Sequence, residues 1–159
     1  MEQPDRNITL TQEERELNDR ADALYEFVAR YYDYAAEKKD YGTGEEVCMS
    51  EAHMLTHIVN EPGITVSRLA KEYKRTKSFV SQTVKKLLTM GFITREAALG
   101  DARVVHLYPT ERGIALNKAH MLYDLAEVRE TFAELSETCT KADLDTFFRV
   151  IEAYRRVLE

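Results

Sequence analysis

The sequence predicts a mainly α-helical chain with one small β-hairpin. Three observations carry this. Apolar residues recur at steps of three and four through most of the chain, threonines stand at the starts of several such runs, and the period drops to two only between residues 92 and 108. The 159 residues are 44% apolar and 31% charged, with only 6 glycines and 3 prolines, which places the chain among globular rather than disordered sequences. Its length suits one domain, or one domain with extensions.

The first helical pattern runs from about Thr11 to Lys38. Leu17, Ala21, Leu24, Val28, Tyr31 and Ala35 form its apolar stripe, which Phe27, Tyr32 and Tyr34 widen. "DYGTGEE" (40–46) then breaks the helix with two glycines. Ser50 is the expected N-cap of a second helix, with Met54, Leu55, Ile58 and Val59 facing inward, and "NEPG" (60–63) ends it. Thr65 caps a short third helix, Val66 to Tyr73, in which Leu69 and Ala70 point inward. Thr76 caps a fourth, "KSFVSQTVKKLLTM", stopped by Gly91 at the C′ position.

"FITREA" (92–97) and "RVVHLY" (103–108) are rich in β-branched and aromatic residues, and "LGD" lies between them; they read as a two-stranded hairpin that Pro109 terminates. Thr110 caps a long helix to about Glu137, with Ile114, Leu122, Leu125, Val128, Phe132 and Leu135 as its stripe. A last helix follows Thr140 and carries Leu144, Phe147, Phe148, Ile151, Tyr154 and Leu158. Two short helices joined by a tight turn and followed by a hairpin make a winged helix-turn-helix core, here flanked by long helices. The flanking helices carry more apolar surface than one small winged domain can cover, so they are expected to pair between two copies of the chain. The expected division is an N-terminal helix of the dimerisation region at 1–48, a winged helix-turn-helix DNA-binding domain at 49–112, and C-terminal dimerisation helices at 113–159.

The formal net charge of −6 conceals a segregation. Residues 65–112 hold ten Lys/Arg against four Asp/Glu, while the rest of the chain holds 12 basic and 24 acidic residues. A basic insert in an acidic chain is the electrostatic footprint of a surface that faces phosphate. In a winged helix-turn-helix the second helix of the pair enters the major groove. On the fourth helix Val80, Val84, Leu87 and Leu88 form the inner side. Ser78, Ser81, Gln82 and Lys85 form a small polar stripe opposite, with Thr76 and Lys77 at the N-terminal end. Such side chains reach base edges or phosphates, and Gln pairs bidentately with adenine. At the hairpin tip Arg103 is the candidate for the minor groove, with Asp101 fixing the wing by pairing with an arginine.

The segment from about Met49 to Gly113 resembles the MarR family of transcriptional regulators. The family's wing pattern is D-x-R, a strand, then Leu-Thr-x-x-Gly; Asp101, Arg103, Thr110 and Gly113 stand in that register. "GITVSRLAKEY" and "LLTMGFITR" match the preceding helix and the first wing strand, while Pro109 stands where a leucine is usual. The resemblance implies a homodimer on a pseudo-palindromic operator, with a small molecule or an oxidant releasing the DNA. Effectors of the family bind between the dimer helices and the winged domain, where Tyr31, Tyr32, Tyr34, His53 and His57 are candidates. The tyrosines suit a phenolic or aromatic effector, although tyrosines at helical spacing more often serve a core or an interface. His53 and His57 have the i, i+4 spacing of metal ligands, with Cys48 and Glu51 nearby. They lack a third ligand at fixed spacing, so no metal or other cofactor is expected.

Glycine-rich phosphate loops, a nucleophile elbow and HExxH are all missing from the sequence, so no enzyme is expected. Without an apolar run of membrane-spanning length or a signal-like N-terminus, a cytoplasmic protein is expected. Cys48 and Cys139 read as two small half-buried thiols, with redox sensing as the alternative. The sequence thus reads as a sequence-specific, double-stranded DNA-binding transcriptional regulator of the repressor type, released by a small-molecule effector. The alternatives are a winged-helix protein–protein interaction module and a metal- or redox-responsive version of the same regulator.

Overall fold

Five helices begin on a threonine whose hydroxyl accepts from a backbone N–H in the first turn: Thr11, Thr65, Thr76, Thr110 and Thr140. Each such cap supplies about 1 kcal/mol. The computed structural model describes residues 9–98 and 101–158, and the side chains of that range except those at 98 and 101–103. Helix α1 (Gln12–Ala36) leads into a small antiparallel hairpin, β1 (Lys38–Asp40) and β2 (Glu46–Cys48), with Lys39 opposite Val47. The sequence suggested only a helix-breaking loop here. The turn is organised by Asp40, whose Oδ1 accepts from the N–H groups of Gly42, Thr43 and Gly44 at 2.8, 2.9 and 3.0 Å.

Helix α2 (Met49–Asn60) starts two residues from the expected cap. Cys48 is its N-cap, and the Glu51 carboxylate accepts from the Cys48 N–H at 3.0 Å. The Ser50 hydroxyl instead lies 3.2 Å from the Cys48 thiol. Strand β3 (Ile64–Thr65), helix α3 (Val66–Glu72) and helix α4 (Lys77–Thr89) follow, then β4 (Ile93–Ala98), β5 (Asp101–Pro109), α5 (Glu111–Leu135) and α6 (Lys141–Val157). The wing gains a strand: the antiparallel sheet has the order β3-β5-β4, with Ile64 opposite Leu107 and Arg95 opposite the same residue from the other side. The His106 ring fastens β3 through Nδ1, 2.7 Å from the Gly63 carbonyl oxygen.

The core lies among α2, α3, α4, the sheet and the first half of α5. Met54, Leu55, Ile58, Leu69, Val80, Leu87, Phe92, Leu107 and Leu116 are buried there. Burial of each large side chain is worth about 1.5–3 kcal/mol, which holds the helix pair against the wing. The Thr110 hydroxyl donates to the Gly91 carbonyl at 2.8 Å, and its backbone N–H donates to that of Phe92 at 3.0 Å. Pro109 closes β5 opposite Ile93, a strand-end position that proline tolerates. The Thr56 hydroxyl donates to Asn117 Oδ1 at 2.7 Å, tying α2 to α5.

Outside this core the helices are bare on their apolar sides. Neither α1 nor α6 has a buried residue, and on α5 Leu122, Leu125 and Val128 are exposed. The buried face of α5 is instead Gly113, Leu116, Asn117 and His120. Between α1 and α5 the hairpin makes a bridge. Lys39 Nζ sits 4.0 Å over the Tyr34 ring and donates to the Tyr123 hydroxyl at 3.4 Å, while Tyr34 donates to Glu127 at 2.5 Å. Among the described residues no helix is long and apolar enough to cross a membrane.

Candidate nucleic-acid interface

Helix α4 divides its residues as an amphipathic helix must when only one side is covered. Val80, Thr83, Val84 and Leu87 are buried, and Thr83 satisfies its hydroxyl by donating to the Phe79 carbonyl at 3.1 Å. Thr76, Lys77, Ser78, Ser81, Gln82 and Lys85 are all exposed, so the expected stripe lies on one open face. Thr76 also accepts from the Phe79 N–H at 3.2 Å, which fixes where the helix begins. The positive end of the helix dipole therefore opens on the same side as Lys77.

The wing stands next to this face. An open groove of about 580 Å³ runs between α4 and the sheet, lined by Ser81, Lys85 and Thr89 on one side and Arg95 and Val105 on the other. Arg95 was not singled out in the sequence, although a basic residue on an exposed strand position beside a polar helix is the signal for it. Two further site expectations, Asp101 and Arg103, concern side chains outside the described residues. The backbone of β5 does begin at Asp101, opposite Ala98, with a register irregularity between Ala97 and Ala98.

The basic excess of the segment is partly consumed by ion pairs. Arg68 meets Glu61 at 2.5 Å and Glu72 at 2.8 Å, Lys86 meets Glu51 at 2.9 Å, and Arg112 pairs with Glu45. These three cations fasten the domain, whereas Lys77, Lys85 and Arg95 stand on the open face. The Lys86–Glu51 pair is the most consequential of them. Glu51 is buried, which pushes its pKa up, but the Lys86 ammonium and the Cys48 N–H outweigh this and hold it below the ordinary range. The pair joins the N-terminus of α2 to the last turns of α4.

Of the five residues proposed from sequence for an effector pocket, Tyr31 and Tyr34 meet, with ring centroids 6.0 Å apart, while His53 and His57 each face other partners. Tyr31 stacks on Phe27 at 6.1 Å, and its hydroxyl lies 4.0 Å from the Met49 sulfur; Tyr34 faces α5 through Glu127; Tyr32 is 73% exposed. His57 packs edge-on against Tyr73 at 5.5 Å, whereas His53 packs against His120 of α5 at 5.0 Å. Helical spacing placed the two histidines on one side of α2, but each meets a different neighbour.

Residues 48–105 match the MarR family. An uncharacterized HTH-type transcriptional regulator, YhjH of Bacillus subtilis (strain 168), is 29% identical over 84 residues, which are 53% of this chain and 48% of that protein. The match thus spans about half the length of this curated relative. Among solved structures, Streptococcus pneumoniae FabT in complex with DNA aligns with a TM-score of 0.62 at 20% identity, covering 91% of this chain and 96% of that one. Lactococcus lactis ZitR, a zinc-responsive MarR family member, aligns with a TM-score of 0.65 at 19% identity over 90% and 99% of the chains. The S. aureus MepR–DNA complex aligns with a TM-score of 0.59 at 20% identity over 71% and 80%. These likenesses show the fold.

Proposed function

We propose that this chain, whose residues 48–105 match the MarR family, is a homodimeric transcriptional regulator that binds double-stranded DNA. The observation that carries this reading is the open stripe of Lys77, Ser78, Ser81, Gln82 and Lys85 on a helix whose opposite side is buried. Ser81 and Gln82 reach base edges, Lys77 and Lys85 meet phosphates, and Arg95 meets the backbone where it passes the groove beside the wing. Arg103 at the wing tip enters the minor groove, with Asp101 holding the wing's shape.

Two copies pair through the exposed apolar faces of α1, α5 and α6, so that residues 1–48 and 113–159 flank the DNA-binding unit at 49–112. Two-fold symmetry then sets the two α4 helices about 34 Å apart, one turn of duplex. In this reading the dimer acts as a repressor that occludes the promoter it covers. A phenolic effector held beside the Tyr31–Tyr34 pair of α1 would shift the two α4 helices out of register. Family relatives named as DNA complexes support the reading of the partner.

Selection of bound sequences from random duplex DNA tests this reading. The expected product is a pseudo-palindrome whose half-sites lie one helical turn apart, with log K falling steeply as log salt rises. No duplex affinity at low salt would overturn it in favour of a winged-helix module that binds protein.

A further inference from the structure

We propose that His53, His120 and Asp124 form a divalent metal site, suited to zinc, that clamps α2 to α5. Among the described residues this is the one trio whose potential ligand atoms all lie within 4.8 Å of one another. Asp124 Oδ2 is 3.2 Å from His120 Nε2 and 3.7 Å from His53 Nε2. Donors bound tetrahedrally at zinc distances of 2.0–2.1 Å stand about 3.3 Å apart, so the carboxylate and both rings already lie near coordinating separation.

The second observation is the state of His120. It is 1% exposed, and neither ring nitrogen makes a hydrogen bond, because the Asp124 contact has ion-pair reach without hydrogen-bond geometry. Buried polar atoms without partners are rare and call for a cause. The single contact to Asp124 leaves both ring nitrogens short of a hydrogen-bond partner. An imidazole set between a carboxylate and a second imidazole is placed to bind a metal.

The surroundings fit this assignment. His53 and Asp124 are partly open to solvent, at 47% and 32% of their side chains, so an ion has a route in and His53 has room to close on it. Tyr41 packs edge-on against His120 at 4.8 Å. Two imidazoles and one carboxylate suit first-row divalent ions, and a water completes the set. His57, one turn further along α2 and against Tyr73, is outside the site.

The test is a zinc titration of the full-length protein against a chromophoric chelator at neutral pH, without DNA, so that its result is independent of the DNA-binding reading. The expected result is one ion per chain. His53→Gln and Asp124→Asn, both at partly exposed positions, should each weaken binding by more than about tenfold, since even loss of groups that merely support a ligand costs that much. His57→Gln should bind like wild type. Cobalt in place of zinc should give the visible absorption of a low-symmetry nitrogen–oxygen site, which Asp124→Asn alters. Failure to compete with the chelator would overturn the proposal. So would undiminished affinity in both variants, or a loss that follows His57 instead.

Discussion

Gly113 packs directly against the backbone carbonyl of Phe92. A Cβ at this position would fall inside the van der Waals shell of the carbonyl oxygen and 3.0 Å from its carbon. The same carbonyl accepts from the N–H of Thr110, so the start of α5 is pressed onto the end of the α4–wing junction. The glycine of the Thr-x-x-Gly pattern is therefore required by close approach. Gly113→Ala should destabilise the fold by about 3 kcal/mol, through the backbone shift that overpacking forces. Denaturant midpoints at fixed protein concentration measure this, and an unchanged midpoint would show that the junction is slack.

The buried Glu51 carboxylate depends on Lys86. Lys86→Ala leaves that charge without its cation. Because Lys86 is 63% exposed, water replaces part of the loss, and the expected cost is about 1–2 kcal/mol. Adding Glu51→Gln should recover part of it, since the amide oxygen still accepts from Cys48. If the two losses simply add in a double-mutant cycle, the pair is not coupled.

Asp40 carries the pH prediction. Its acceptance of three backbone N–H groups, that of Thr43 foremost, holds its pKa below the ordinary 3.8. The turn's stabilisation is therefore complete above 3.8 and is lost as pH falls through the lower, folded-state value. The amide resonances of Gly42, Thr43 and Gly44 should titrate together with a midpoint under 3.8. Three separate midpoints, or one at the ordinary value, would contradict the shared acceptor.

For DNA binding, Lys85→Ala and Arg95→Ala should each reduce the salt slope by about one while leaving base preference intact. Gln82→Ala should do the converse, relaxing preference at one position per half-site. Should Arg95→Ala bind like wild type, the groove between α4 and the wing would not carry DNA backbone.

The exposed face of α5 gives the test of pairing. Leu122 is 61% exposed and its removal costs little core. Leu122→Glu should shift the sedimenting species from dimer to monomer, because a symmetric interface would bury the new charge twice. A variant that still sediments as a dimer at micromolar concentration would place the interface elsewhere.

Local chemistry explains what the sequence revealed and what it hid. Thr65, Thr76, Thr110 and Thr140 mark their helix starts because a cap is decided within four residues. The division of α4 into Val80, Val84 and Leu87 against Ser78, Ser81 and Gln82 was legible because period alone determines it. Ser50 misled because it has cap chemistry, whereas the winning cap, Cys48, is set by the end of β2 and by Glu51 reaching back. The β1–β2 hairpin has three residues per strand, too few for alternation to register. His120 and Asp124 meet His53 only once α5 returns along α2, a long-range contact that no spacing within one helix contains. The i, i+4 rule therefore pointed to His57 instead.

The small hairpin after α1 has a mechanical consequence. Its turn glycines, Gly42 and Gly44, lie at the free end, while its strands start directly from α1 and finish directly into α2. Lys39 and Tyr34 grip Tyr123 and Glu127 on α5, so the joint between the N-terminal and C-terminal arms is stiff where a plain loop would be slack. A tilt of α1 would thus have to carry α5 with it or break the Tyr34–Glu127 and Lys39–Tyr123 contacts.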